Sequence, residues 1–267
     1  MSPALRTPLR RILAMSRAEV TLFIRNRTIL LTALLTAPVM VLALGPVMGN
    51  ALEGPAFTLF LVQMLSAWSL LFVVYYNVTC ILVARREDGV FQRLSTGEAT
   101  RWEALIAISL PSILVFLIQM LLGGGVAMLL FGAPTFANPV LPLVGVIGGA
   151  VIMTALSAWT SSLTTTVEGA QYSTMPLLMV FLVLSGTSLP LSVMPDAVQT
   201  AASATPLYAV GDLIGLGLEG TALRHTAASA DLGASWTAAA RPVVVLAAWA
   251  LVGIWAARAR MRFVPRR

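Results

Sequence analysis

Lysine is absent, histidine and cysteine occur once each, and charged residues make up only 10% of the 267-residue chain. Each shortage removes a class of function. A phosphate-binding loop of the G-x-x-x-x-G-K-[ST] kind places a lysine ammonium on the phosphates, so this chain cannot bind and hydrolyse ATP by that route. His225 and Cys80 stand far apart in the sequence and offer no zinc or di-metal cluster. A lone cysteine closes no internal disulfide. With 58% hydrophobic residues and a mean hydropathy of +0.89, the chain has too little polar surface to cover itself in water. Its solvent is lipid, and its length suits one membrane domain.

Six apolar runs approach the roughly 20 residues that a helix needs to cross hydrocarbon. They cover 29–48, 57–84, 104–131, 140–163, about 172–191 and about 238–257. Trp249 and Trp255 give the last one apolar bulk and interfacial anchors. The first run starts too late and is too long for a signal peptide. All 17 basic residues are arginine, and 15 of them lie in three places. These are the segment before the first span (Arg6, Arg10, Arg11, Arg17, Arg25, Arg27), the loop after the second (Arg85, Arg86, Arg93, Arg101) and the tail 258–267. Six crossings bring all three to one side, whereas five or seven send one arginine-rich terminus across. The excess of positive charge on cytoplasmic loops then sets both termini and the Arg85 loop inside. The net charge of +6 is thus a topology signal and implies no nucleic acid. The expected fold is an all-α integral membrane protein. It has a cytoplasmic segment 1–28, a six-span domain 29–257 and a basic tail 258–267.

Three stretches lie outside the spans. In 1–28, Leu9, Ile12, Leu13, Val20, Phe23 and Ile24 share one helix face and Arg10, Arg11, Arg17 and Arg25 another, which predicts a helix lying in the headgroup plane. The loop 85–103, RREDGVFQRLSTGEATRWE, is the most charged stretch of the chain. It also holds Val90, Phe91 and Leu94 at helix-face spacing, with Asp88 as a candidate cap for that short helix. Thr100 to Glu103 reads as a capping box opening the third span. An exposed apolar face on an ionic loop implies that something docks there. The external segment 192–237 is broken by Pro195 and Pro206, with Pro190 just before it. It predicts one or two short helices dipping into the outer leaflet.

Within the spans Gln63, Asn77 and Gln119 are the main polar groups. They suit hydrogen bonds between helices, or the lining of a substrate path. No carboxylate or arginine falls in the middle of a span, which argues against an ion- or proton-coupled carrier. No polar cluster at either interface suggests a membrane-embedded enzyme, and a scaffold has no feature to recommend it. What remains is a conduit without a motor.

Glu87-Asp88-Gly89-Val90-Phe91-Gln92-Arg93-Leu94, followed by Arg101-Trp102-Glu103, resembles the E-x-G-x-x-x-x-L … R-x-E signature of type-2 ABC exporter permeases, the drug and antibiotic efflux group that includes the daunorubicin-resistance type. The stretch Gly186 … Leu189-Pro190 … Met194-Pro195 … Pro206-Leu207-Tyr208 is similar to that family's segment after its fifth span. Gly97 stands where the family often has proline. The resemblance implies a bacterial inner-membrane permease that moves a small amphiphilic molecule or a lipid-linked substrate outward. It implies a separate ABC ATP-binding subunit that holds the ATP, with no cofactor in this chain. It also implies a second permease copy or a paralogue as partner, besides membrane lipid. Glu87, Asp88, Gly89, Phe91, Arg93, Leu94, Arg101 and Glu103 would form the ATPase-coupling loop. Gly186, Pro190, Pro195, Pro206 and Tyr208 would form the extracellular gate.

Overall fold

A computed structural model of the protein describes residues 3–48, 52–91, 100–187, 194–223 and 232–260. Helix α1 (Pro3–Arg25) is separated from α2 (Arg27–Met48) by Asn26 alone. Then come α3 (Gly54–Glu87), α4 (Arg101–Phe131), α5 (Val140–Leu163), α6 (Val167–Leu184), the short pair α7 (Asp196–Ala202) and α8 (Pro206–Leu218), and α9 (Leu232–Arg260). No β-strand occurs among the described residues. Helices α2, α3, α4, α5 and α9 are long and apolar enough to cross a bilayer. At 18 residues, α6 lies at the short end of the spanning range. The protein is an all-α integral membrane protein.

Helix α3 is the axis of the bundle, buried along most of its length, while α2 and α9 leave most of theirs open. Its Leu70, Leu71, Val74 and Tyr75 pack in one core with Phe116, Ile152, Met153, Leu213 and Ile214. The middle of α3, Ser69–Tyr76, is π-helical, a widening of the helix that is often found at functional sites.

Lipid tails are as apolar as leucine, so burial alone does not pull spans together; close packing over small residues does. Helix α5 supplies such a face. A Cβ on Gly149 would stand 2.7 Å from Leu70 Cδ1 and 3.0 Å from Val210 Cγ2. On the same face, Gly145 lies against Leu213 and Gly148 against Leu246. These contacts also give direction. Gly148 meets Leu246, and Ala155 meets Gly253, so α5 and α9 run parallel. Gly149 meets Val210, and Pro142 meets Gly217, so α8 runs opposite to α5.

Two short helices before the last span are present as expected, and they meet at 81°. Pro206 lies four residues before Val210, which packs at Gly149 in the middle of α5. The bend therefore sits near mid-depth of the bundle, and α8 runs from there to the end where α5 begins. The span expected over 172–191 starts earlier and stops sooner. Thr166 caps it by accepting the Gly169 N–H at 3.1 Å. It ends at Leu184, just before Ser185 and Gly186, the latter at φ +76°. Pro190 lies outside the described residues.

The amphipathic face of α1 is divided. Phe23 and Ser16 are buried and α1 packs along α4. Leu9, Leu13 and Ile24 stay open, which leaves an apolar strip for the bilayer surface.

Replacing Gly149 by leucine forces its neighbours to shift and should destabilise the protein by about 1–3 kcal/mol. Thermal unfolding of the purified protein in detergent checks this; an unchanged midpoint would contradict the close packing of α3, α5 and α8.

Candidate coupling surface and outer hairpin

The ends of α3, α5 and α9, the starts of α4 and α6, and α1 meet at one arginine-rich end of the bundle. Arg85, in the last turn of α3, reaches Glu19 of α1 at 2.7 Å. Its neighbour Arg86 donates to the Ser161 carbonyl at 2.8 Å and also to the Thr164 carbonyl. Those carbonyls belong to the open C-terminus of α5, where a cation is favoured by the helix dipole. Arg258 of α9 stands over the Trp102 ring of α4, 5.6 Å from its centre. A long apolar span thus ends in a plate tied together by arginines.

The expected docking loop leaves this plate through a turn. Asp88 stands between two helical stretches, the end of α3 and the helix that resumes at Val90. It is the C-cap of α3, and its N–H donates to the Ala84 carbonyl at 2.9 Å. Gly89 follows at φ +67° and donates to the Arg86 carbonyl at 3.1 Å. That left-handed backbone favours glycine. The chain thereby turns back on itself, and this changes the role of Phe91. Expected on an open apolar face, Phe91 is instead buried among Val78, Leu82, Leu105, Ile108 and Ala257. Helix spacing says which residues share a face, not which way that face looks.

At the other end of the loop the capping box is present. Thr100 Oγ1 accepts from the Glu103 N–H at 3.3 Å, and the Thr100 N–H donates to Glu103 Oε2 at 2.7 Å. Glu103 is therefore buried and engaged with its own helix, not presented to a partner. Glu87, Asp88 and Arg101 remain exposed. Arg93 and Leu94 lie outside the described residues.

The polar span residues tie helices together. Gln63 donates to the Gly211 carbonyl at 2.9 Å, joining α3 to α8. Ser69 donates to Gln119 Oε1 at 2.8 Å, and Gln119 Nε2 donates to the Ala33 carbonyl at 2.7 Å. Asn77 donates to Ser112 at 3.0 Å. Gln63 and Asn77 are thus engaged within the bundle and line neither described cavity. Gln119 also borders an apolar cavity of about 340 Å³ between the halves of α2, α3 and α4 that lie away from Arg85, with Leu34, Pro38, Leu61, Leu65 and Gly123.

The hairpin α7–α8 is held by polar contacts of its own. Arg241 of α9 donates to Ser203 at 2.6 Å, and Trp249 donates to the Ala204 carbonyl at 2.7 Å, so both hold the α7–α8 bend. Asp212 lies within α8 and accepts the Leu223 N–H at 2.8 Å, folding the chain after α8 back along it. Pro206 and Tyr208 are buried inside the bundle, while Pro195 N-caps α7 at the surface. An ionisable side chain thus sits on a helix inside the bundle, though on the broken pair and not on a full span.

A family model described as ABC-2 type transporter matches residues 10–214. This chain belongs to the ABC-2 type transporter family. No curated protein matches it. The matched stretch runs from α1 through most of α8, so it takes in both the arginine-rich plate and the broken helices. The ABC-2 chain is a membrane permease of an ABC transporter.

If Phe91 seals the plate, Phe91→Ala should lower unfolding stability by about 3 kcal/mol, as large-to-small core changes do. Thr100→Ala should cost about 1 kcal/mol through loss of the cap. Denaturation of the two purified variants measures both, and a stable Phe91→Ala protein would return that ring to the docking face.

Proposed function

We propose that this ABC-2 permease is the membrane half of an exporter, and that its arginine-rich end faces the cytoplasm and receives a separate ATP-binding subunit. The observation that carries the reading is the loop after α3. Both of its roots are fixed to the bundle, by Arg86 on α5 and by the Thr100–Glu103 box on α4, while Glu87, Asp88 and Arg101 look outward. A force applied there reaches α3, α4 and α5 at once. The ATPase, in its nucleotide-bound and nucleotide-free states, would bias two arrangements of the bundle through different contacts with this loop. The broken pair α7–α8 is the outer gate, and its bend at mid-depth is the element that moves.

The cargo is a small amphiphilic or lipid-linked molecule. The apolar cavity between α2, α3 and α4 supports that class, since its lining offers one amide among hydrocarbon groups. A second permease, identical or paralogous, completes the path in the bacterial inner membrane.

Co-expression with the ATP-binding subunit tests the coupling. Reversing charge by Glu87→Arg and Asp88→Arg should lower permease-stimulated ATP hydrolysis by roughly tenfold, because it inverts the charge that the loop offers to a complementary partner surface. Membrane insertion and thermal stability should stay unchanged. Full stimulation in this variant would move the motor's contact elsewhere.

A further inference from the structure

A second cavity, of about 660 Å³, opens at the elbow between α1 and α2. Its mouth carries Arg25, Arg27 and Arg85 with Glu19, and its floor is apolar, formed by Phe23, Ile81, Ile108 and Pro111 among others. Glu19 is already engaged by Arg85. Arg25 and Arg27 pair with no acid among the described residues. Arg85 keeps a buried Nε without a hydrogen-bond partner. The cavity therefore has surplus positive charge at its rim and hydrocarbon below.

Its depth matches that division. Ile108 and Pro111 lie seven and ten residues inside α4, which starts at Arg101. At 1.5 Å per residue the floor is about 10–15 Å below the plate. The open apolar strip of α1, with Leu9, Leu13 and Ile24 exposed, sets the rim at headgroup level. A molecule that matches this space carries negative charge at one end and an alkyl chain at the other.

We infer that the elbow cavity binds an anionic phospholipid of the inner leaflet. The phosphate would be held by the Arg25, Arg27 and Arg85 guanidinium groups, and one acyl chain would lie on Phe23, Ile81 and Ile108. Each arginine near an anionic headgroup adds measurable affinity through its charge. The lipid would act as a wedge between α1, which is tied to the coupling plate through Glu19 and Arg85, and α2. The inner-leaflet assignment rests on the orientation proposed above; the binding itself does not.

Native mass spectrometry of the full-length permease in detergent tests this independently of orientation. Phosphatidylglycerol, phosphatidylcholine and glycerol 1-phosphate are added in turn. The native protein should retain phosphatidylglycerol in clear preference to phosphatidylcholine, and glycerol 1-phosphate hardly at all. Arg25→Gln with Arg27→Gln should lower phosphatidylglycerol retention by roughly tenfold or more, the loss expected from two arginine–headgroup interactions. Arg25→Lys with Arg27→Lys should keep most of the preference, which shows that the charge matters and that the fold tolerates change there. Arg10→Gln, on an exposed part of α1 away from the cavity, should have no effect. Equal retention of the two lipids would overturn the proposal, as would an equal loss in Arg10→Gln. Tight retention of glycerol 1-phosphate would replace the lipid site with a plain phosphate site and overturn it too.

Discussion

Hydrocarbon offers no hydrogen-bond partner, so a polar group buried in this bundle has to be met by another helix or by its own backbone. That constraint decides which helices are neighbours. Gln63 ties α3 to α8. Ser69, Gln119 and the Ala33 carbonyl tie α3 to α4 and α4 to α2. Tyr75 and Thr160, 3.0 Å apart, tie α3 to α5. Around these bonds the glycines of α5 allow α3, α8 and α9 to close in. Apolar surface alone, equally content against lipid, would specify none of these partners.

The same constraint shapes the two ends. At the arginine-rich plate, Arg86 satisfies the last carbonyls of α5 and Arg85 draws in α1. Exposed ion pairs contribute little energy, and the plate does not rely on one. It combines a helix-end cation, a capping box, an arginine over an indole and the buried ring of Phe91. At the opposite end Arg241, Trp249 and Asp212 hold a hairpin that stops at mid-depth. The chain thus has an arginine-tied plate at one end and, toward the other, a hairpin whose α8 is packed into the core and whose bend is held by polar contacts. That asymmetry suits a machine pushed from one side and opened on the other.

Much of this was legible in the sequence. Long apolar runs mark spans because a bilayer demands length, and Arg clustering marks one end. Thr100-x-x-Glu103 announced its cap by spacing alone. The short helices around Pro195 and Pro206 were legible because proline breaks helix predictably. Other features were not. Phe91 sits on a helix-spaced apolar face, and spacing is the same whether that face looks inward or outward; Gly89 turns it in. Asp212 falls in the segment expected outside because the depth of a broken pair depends on its packing against Gly145 and Gly149, which no local pattern encodes. Gln63, Asn77 and Gln119 stood out as polar, but their partners are backbone and hydroxyl groups 35 to 148 residues away.

The central claim is that the arginine-rich plate faces the cytoplasm and the hairpin end faces outward. Single cysteines test it most directly, placed in a Cys80→Ser background at Glu53, exposed at the start of α3, and at Glu168, exposed in the first turn of α6. A membrane-impermeant maleimide should label Glu53→Cys in intact cells, and should label Glu168→Cys in inverted vesicles but not in intact cells. Labelling of Glu168→Cys from outside, or of both positions from the same side, would contradict the account.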